Sequence, residues 1–402
     1  MRDIQRIGVL GAGTMGAGIA QVAAEAGLEV ALLDPVSGAY ERARDRIGGF
    51  LERRVAKGEL HAGLAEAAMS RIHEADSVAD LAAAEFVIEA IPEELDLKRD
   101  AFRRLDAAAE PSTILATNTS SLSVGSIAEA TTRPGRVVGM HFFNPVPLMA
   151  LVEVIGASGT DRDVVEAAVG LARQLGKTPV EAADTPGFIV NRVARPFYLE
   201  ALRILGEGAA DVPAIDAAMR EAGFRMGPFE LIDTIGLDVN LAVSEAVWEG
   251  FDRNPRYLPH ALQRLLVQSG RLGRKTNAGF YDYDSNGQRR GPWVGLAQEP
   301  PIPPPEMYYA EACQLRILAT IVNEAASAVE DGSATSVAID TAMRLGTNWP
   351  RGPLAWGESI GLATVVGTLD EMRAHVADAR YAVVPLLRLL AGSGGSFFAA
   401  AH

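Results

Sequence analysis

The stretch RIGVLGAGTMGAGIAQVAAEAGLEVALLD, Arg6 to Asp34, constrains the fold of this chain more than any other. Ile7 to Ala24 carries no charge and is long enough to suggest a membrane span, but Gly8, Gly11, Gly13, Gly16 and Gly18 interrupt it. It reads instead as a strand, a glycine-rich turn, a helix and a second strand. In Gly11-x-Gly13-x-x-Gly16, the first glycine permits a tight turn. The second lets the backbone approach a ligand, and the third lets the helix pack closely on the strand. Such a unit buries itself only in a largely parallel sheet covered on both faces.

The ligand follows from the same residues. The helix that opens at Thr14 and Met15 presents free N–H groups and a positive dipole end, which suit a pyrophosphate. Asp34, 18 residues after Gly16, ends the second strand. Either it is a turn residue or it accepts hydrogen bonds from ribose hydroxyls, and the motif favours the second. Its charge opposes a 2′-phosphate, and Pro35 supplies no cation to offset it, so NAD is expected over NADP.

Strand and helix patterns alternate through residue 185. RIGVL, EVALLD, EFVIEAI, TILATN, RVVGMHFF and LVEVIGA read as strands. The charged, helical stretch at about 37–75 reads as a protruding hairpin. From residue 186 to 283 the texture becomes helical. Residues 284–306, with five prolines between Pro300 and Pro305, read as a stiff linker. Residues 307–402 repeat the helical pattern: IDAAMREAGFRMGPFELIDTIGL from Ile215 matches IDTAMRLGTNWPRGPLAWGESIGL from Ile339, and Glu200 aligns with Glu324. SGGSFFAAAH reads as a tail. The expectation is an α/β Rossmann-type nucleotide-binding domain followed by two tandem all-α domains, the second a degenerate copy that covers the first as an intramolecular pseudo-dimer. Further homo-oligomerisation stays open.

A net charge of −14 argues against nucleic acid or an anionic membrane surface as a partner. The single cysteine, Cys313, excludes an intrachain disulfide and fits the cytoplasm, as does the lack of a basic-then-apolar leader pattern. No metal site is expected. Lysine occurs only at positions 57, 98, 177 and 275, among 37 basic residues, so each one draws attention.

Of six histidines, only His141 follows a strand of the nucleotide domain, where such sheets bind ligands. Glu153 sits in the apolar LVEVI, where an unpaired carboxylate would be costly. The two explain each other: imidazole as proton acceptor, carboxylate as the group that fixes its tautomer and stabilises the imidazolium. Asn118 and Ser120, in ATNTSSLS, end another strand and suit the nicotinamide side or a substrate oxygen. Ser121 or Ser123 suits a helix N-cap. Asn191 either faces the cleft or makes a capping or interdomain hydrogen bond.

The motifs GAGTMGAGIA, EAIPEELDLK, TNTSSLS, HFFNPVPLMALVEVI, DTPGFIVNR, GPFELIDTIGLD and GRKTNAGFY run in one order over about 270 residues. Together they closely resemble the L-3-hydroxyacyl-CoA dehydrogenase family, and the helical repeat resembles its longer bacterial members. The resemblance implies NAD-dependent, reversible oxidation of an L-3-hydroxyacyl-CoA in β-oxidation-type metabolism. It implies His141 as base with Glu153 as its partner, and Ser120 and Asn191 on the substrate's 3-oxygen. It gives Glu93, Lys98 and Lys275 to NAD, and Asn144 to the nicotinamide region. In the family's hairpin a serine and a lysine often meet CoA; here Leu51 stands in the serine's place, and Arg53, Arg54 and Lys57 remain as phosphate contacts. Dehydrogenases related to 6-phosphogluconate dehydrogenase use a lysine that PGFIVNRVARPFYLEAL lacks. A gulonate-type dehydrogenase that takes no CoA, and a non-enzymatic NAD-binding protein, are the remaining alternatives.

Overall fold

The computed structural model describes residues 4–293, 295, 310–376 and 378–399. The chain divides into two compact units, 1–188 and 189–402.

The first unit holds, in chain order, β1 (Arg6–Leu10), α1 (Thr14–Glu25), β2 (Glu29–Leu33), α2 (Ala39–Ala56), α3 (Ala62–Ser70), β3 (Ile72–Glu74), α4 (Val78–Ala82) and β4 (Phe86–Glu89). It continues with α5 (Leu95–Ala108), β5 (Ile114–Thr117), α6 (Val124–Ala128), β6 (Val137–Phe142), β7 (Leu151–Gly156), α7 (Arg162–Gln174) and β8 (Thr178–Ala183). The eight strands form one sheet in the order β3-β2-β1-β4-β5-β6-β7-β8. All neighbours are parallel except β6 and β7. The central strands are buried along their length, as continuous Val/Ile/Leu runs require of a sheet covered on both faces. Strand order reverses between β1 and β4, where such sheets open a ligand crevice at their carboxyl ends.

All six strands read from the sequence are present, but β3 and β8 carry little periodic signal. β3 has three residues, two of them exposed. TPVEAA holds a proline and a glutamate, which β8 tolerates because it is the sheet's edge. The hairpin is α2 and α3: Ala43, Ile47 and Leu51, one turn apart, pack into the core, and Tyr40 Oη donates to the Ile72 carbonyl.

The second unit holds α8 (Val190–Val193), α9 (Arg195–Gly206), α10 (Val212–Glu221), α11 (Pro228–Ile235), α12 (Leu237–Gly250), α13 (Ala261–Gln268), β9 (Tyr281–Tyr283) and β10 (Arg289–Pro292). The later copy supplies α14 (Ala310–Glu330), α15 (Ser336–Thr347), α16 (Pro353–Ile360), α17 (Leu362–Val376) and α18 (Pro385–Ser393). The expected linker differs at its start, because β10 turns back to pair with β9 through a tight turn at Asp284–Gly287. Its proline run, 300–305, lies outside the described residues. The tail is anchored: Ser396 Oγ and Phe397 N both donate to Glu358, and Phe397 is buried. Its last residues, 400–402, lie outside the described residues.

Within this unit the two copies contact each other reciprocally. Arg192 Nε donates to Glu324 at 2.6 Å, and Arg316, its counterpart 124 residues on, donates to Glu200, the counterpart of Glu324. Tyr257 donates to Glu324 at 2.7 Å, and Tyr381 to Glu200 at 2.6 Å. Each copy also buries an aspartate that accepts two N–H groups at the start of the helix after it: Asp216 for α11 and Asp340 for α16.

Candidate active site

The glycine-rich loop follows β1 at the crevice. Gly11 has φ +104°, and a Cβ there would lie 2.6 Å from the Ala90 carbonyl oxygen. A Cβ on Gly16 would lie 1.8 Å from the Gly11 oxygen. These two close-packed positions require glycine. A Cβ on Gly13 would meet nothing within 4 Å, so this side of the loop is open. Gly13 is the N-cap of α1 and no described side chain caps the helix, so the N–H groups of Thr14, Met15 and Gly16 are open to an anion. Asp34 carries the loop from the other side: its Oδ2 accepts from Ala12 N at 2.7 Å, and its Oδ1 from Val36 N at 2.9 Å. These residues fit a dinucleotide: an uncapped helix start, an open glycine and a carboxylate with further lone pairs.

Across the sheet, β6 and β7 run antiparallel with His141 directly opposite Glu153. His141 Nδ1 lies 2.6 Å from Glu153 Oε2. Glu153 is fully buried and His141 nearly so. With Nδ1–H donating to the carboxylate, the lone pair sits on Nε2. The rings of Phe143 and Phe188 flank the imidazole, with centroids 4.4 and 6.0 Å away. Asn118, at the end of β5, locks the next residue: its Oδ1 accepts from Phe142 N at 2.8 Å. Asn144 is exposed, two residues beyond β6.

Ser120 lies in the loop after β5, and Glu93 organises that loop. Glu93 Oε1 accepts from Thr119 Oγ1 at 2.7 Å, Ser120 N at 2.7 Å, Ser120 Oγ at 3.1 Å and Ser121 N at 3.1 Å. Burial pushes the Glu93 carboxyl up, but the Lys98 charge and the hydrogen bonds of Thr119 and Ser120 outweigh it and hold it below its ordinary value. Lys98 is 1% exposed. Its ammonium donates to Glu89 Oε1 at 2.6 Å and to the Ile91 carbonyl at 3.3 Å, and lies 3.4 Å from Glu93. Thr117 Oγ1 completes the buried group, donating to Glu89 Oε2 at 2.7 Å. Lys98 therefore reaches the crevice through Glu93. Of the two alternative caps, Ser123 is the N-cap of α6 and accepts from Ser126 N.

Two residues were missed in the sequence. Glu89 carried a usable signal, a carboxylate in the apolar run FVIEAI, the same anomaly that marked Glu153. Arg46, on α2, carried none: only the packing of α2 brings its Nη1 to 3.3 Å from Thr14 Oγ1 at the loop.

Arg53, Arg54 and Lys57 line a cleft of about 590 Å³ with Phe50, Glu25, Leu148 and Lys177. Arg54 pairs with Glu25 at 2.5 Å, whereas Arg53 and Lys57 are exposed. Leu51 points into the core, so Phe50 is the apolar residue of the hairpin that meets this cleft. On the helical unit, Asn191 lies in α8, and its carbonyl accepts from Arg195. Lys275 donates to both oxygens of Asp238 at 2.5 and 2.6 Å.

Residues 6–185 match the family model "3-hydroxyacyl-CoA dehydrogenase, NAD binding domain", and residues 187–283 and 314–395 match "3-hydroxyacyl-CoA dehydrogenase, C-terminal domain". The chain is 38% identical to the 3-hydroxyadipyl-CoA dehydrogenase of Escherichia coli K12, covering 96% of this chain and 98% of that protein. It is 40% identical to the 3-hydroxybutyryl-CoA dehydrogenase of Clostridioides difficile over 69% of this chain and 99% of that one. The crystal structure of a 3-hydroxybutyryl-CoA dehydrogenase from E. coli K12 superposes with a TM-score of 0.89 at 38% identity, covering 98% of this chain and all of the other.

Proposed function

This chain belongs to the 3-hydroxyacyl-CoA dehydrogenase family, and from that premise we propose that His141 and Glu153 carry its NAD-dependent oxidation of a 3-hydroxyacyl-CoA to the 3-ketoacyl-CoA. The observation that supports this most is the buried 2.6 Å contact between His141 and Glu153.

NAD, when bound, supplies the hydride acceptor. The protein must then remove the hydroxyl proton, hold the oxygen and keep water away. His141 takes the proton at Nε2, because Glu153 holds Nδ1. As the imidazolium forms, Glu153 is already beside it and needs no reorganisation. Phe143 and Phe188 exclude water from the ring. Ser120 holds the 3-oxygen, its loop fixed by Glu93. Asn191 shares that task in this reading, supported by the motif around it. Gly11, Gly13, Thr14, Met15, Gly16 and Asp34 hold the pyrophosphate and adenosine ribose, and Glu93, Asn118 and Asn144 the nicotinamide side. Lys98 acts through Glu93, and Lys275 serves the cofactor in this reading. Arg53, Arg54 and Lys57 meet the CoA phosphates.

The reading extends to assembly and place. The reciprocal contacts of Arg192 with Glu324 and Arg316 with Glu200 have the pattern of an isologous interface, in which each side offers the same patch. In this reading the later copy covers the first as a second subunit would. Among the described residues, no helix is long and apolar enough to cross a membrane. The single cysteine supports a cytoplasmic location in this reading.

The test is NADH oxidation with acetoacetyl-CoA set against free acetoacetate. Turnover of the CoA ester alone is expected. Equal turnover of the free acid would favour a gulonate-type dehydrogenase.

A further inference from the structure

Among the described residues, four arginines are buried: Arg192, Arg195, Arg203 and Arg316. Three of them pair with carboxylates: Arg192 with Glu324 and Asp331, Arg203 with Glu200, and Arg316 with Glu200 and Glu207. Arg195 is 4% exposed and has no carboxylate within 4.0 Å among the described residues. A buried charge without a counterion is costly, and proteins rarely keep one without use for it.

The surroundings of Arg195 are polar but neutral. Its Nε donates to the Asn191 carbonyl at 2.8 Å. Its Nη1 donates to Ser244 Oγ at 3.2 Å and the Asn240 carbonyl at 3.5 Å. Tyr198 packs its ring 4.9 Å from the guanidinium carbon. Gln263 donates to Asn240 Oδ1 at 2.7 Å, which leaves Asn240 Nδ2 buried with no acceptor. Arg195 Nη2 also donates to no described residue, but it is not fully buried. Thus one cluster holds a full positive charge, one buried donor without an acceptor and a second donor open to one. A carboxylate supplies the missing charge and accepts from both donor types, with the planar fork that guanidinium recognises.

We propose that Arg195 is the specificity-determining residue for the acyl chain, and that it receives a carboxylate at the chain's far end. This rests on the family reading above, in which Asn191 holds the 3-oxygen. Arg195 follows Asn191 by one helical turn, so their side chains start roughly 5–6 Å apart. In a six-carbon chain the terminal carboxyl carbon lies three bonds beyond C3, a reach of roughly 4 Å. A chain that ends in a methyl at this position would leave the arginine charge uncompensated.

The experiment compares NAD-dependent oxidation of 3-hydroxyhexanoyl-CoA and 3-hydroxyadipyl-CoA, which differ only in the terminal methyl or carboxylate. The wild-type protein is expected to favour the dicarboxylic substrate by about 10-fold or more in kcat/KM. Arg195→Met should lower that ratio by at least about 10-fold through KM for the adipyl substrate, and Arg195→Lys should retain part of it. Should Arg195→Met fail to fold, Ser244→Asp puts a protein carboxylate in place of the hydroxyl that accepts from Nη1 at 3.2 Å and is expected to lower the same ratio. A wild-type protein with no preference, or one that favours the hexanoyl substrate, overturns the proposal. So does an equal loss toward both substrates in Arg195→Met, or an unchanged ratio in Ser244→Asp. Those results leave the dehydrogenase reading standing, whereas no turnover of either substrate removes both.

Discussion

His141 and Glu153 face each other across the antiparallel junction of β6 and β7, with Nδ1 and Oε2 2.6 Å apart. Opposed strand residues keep their Cβ atoms roughly 4.5–5.5 Å apart, so the backbone ladder itself sets this contact. The catalytic pair of the proposed mechanism is thus held by hydrogen-bonded strands and not by a mobile loop.

Replacing His141 by Gln should lower kcat by about 10²–10⁴-fold, the usual worth of a positioned base. NADH binding, measured by fluorescence, should change little. Glu153→Gln should also lower kcat, because the imidazolium loses a charged neighbour. Activity of either variant within a few-fold of wild type would remove that residue from the mechanism.

NAD should be strongly preferred to NADP. Asp34 already turns both oxygens toward the Gly-rich loop and its own turn, so its charge stays fixed where a 2′-phosphate would arrive. Steady-state kinetics with both cofactors give the answer. Equal kcat/KM would show that Arg46, whose Nη1 reaches Thr14, receives the extra phosphate.

Glu93→Gln should raise KM and lower kcat together. A neutral amide accepts more weakly from Thr119, Ser120 and Ser121, and it abandons Lys98 to Glu89 alone. Wild-type kinetics in this variant would separate the Ser120 loop from catalysis.

The contacts between copies should matter more to stability than to chemistry. Arg316→Met leaves Glu200 buried with one cation fewer, a loss of about 3–5 kcal/mol for a broken buried pair. Urea unfolding would report it. Ending the chain after Tyr283 should expose an apolar face and produce aggregation or a new dimer, read by light scattering. A stable, soluble monomer would refute the covering role of the later copy.

Stability should also fall on the acid side through His260. Burial, then the charges of Arg203 and Arg380, push this histidine down to about 4, and its neutral Nδ1 accepts from Leu262 N at the start of α13. Its folded value lies below its ordinary 6.5, so the unfolded chain binds the proton first. The contribution, up to about 3 kcal/mol, is complete above pH 6.5 and disappears as pH falls toward 4. His260→Asn keeps an N-cap acceptor that does not titrate, and its urea midpoint should fall less between pH 6.5 and 4 than that of the wild type.

The sequence by itself determined what depends on near neighbours in the chain. The glycine spacing demanded a strand, a tight turn and a helix, and Gly11 and Gly16 have no room for a side chain. The carboxylate in LVEVI demanded a partner, and only a histidine twelve residues earlier lay at a strand end. Even the repeat was legible, since Glu200 and Glu324 align by residue order alone. Tertiary structure decided what depends on distant segments meeting. FVIEAI shows that Glu89 is anomalous, but not that Lys98 and Thr117 neutralise it. Glu181 and Pro179 hide β8 until the sheet gives it an edge. The repeat suggests that one copy covers the other, but not that Arg192 finds its carboxylate 132 residues away. Arg195 looks like any helix-start arginine until folding brings neutral Asn240, Ser244 and Tyr198 around it. Periodicity reports which face of an element is apolar, because that is local; the partner of a buried charge is fixed only when separate elements pack.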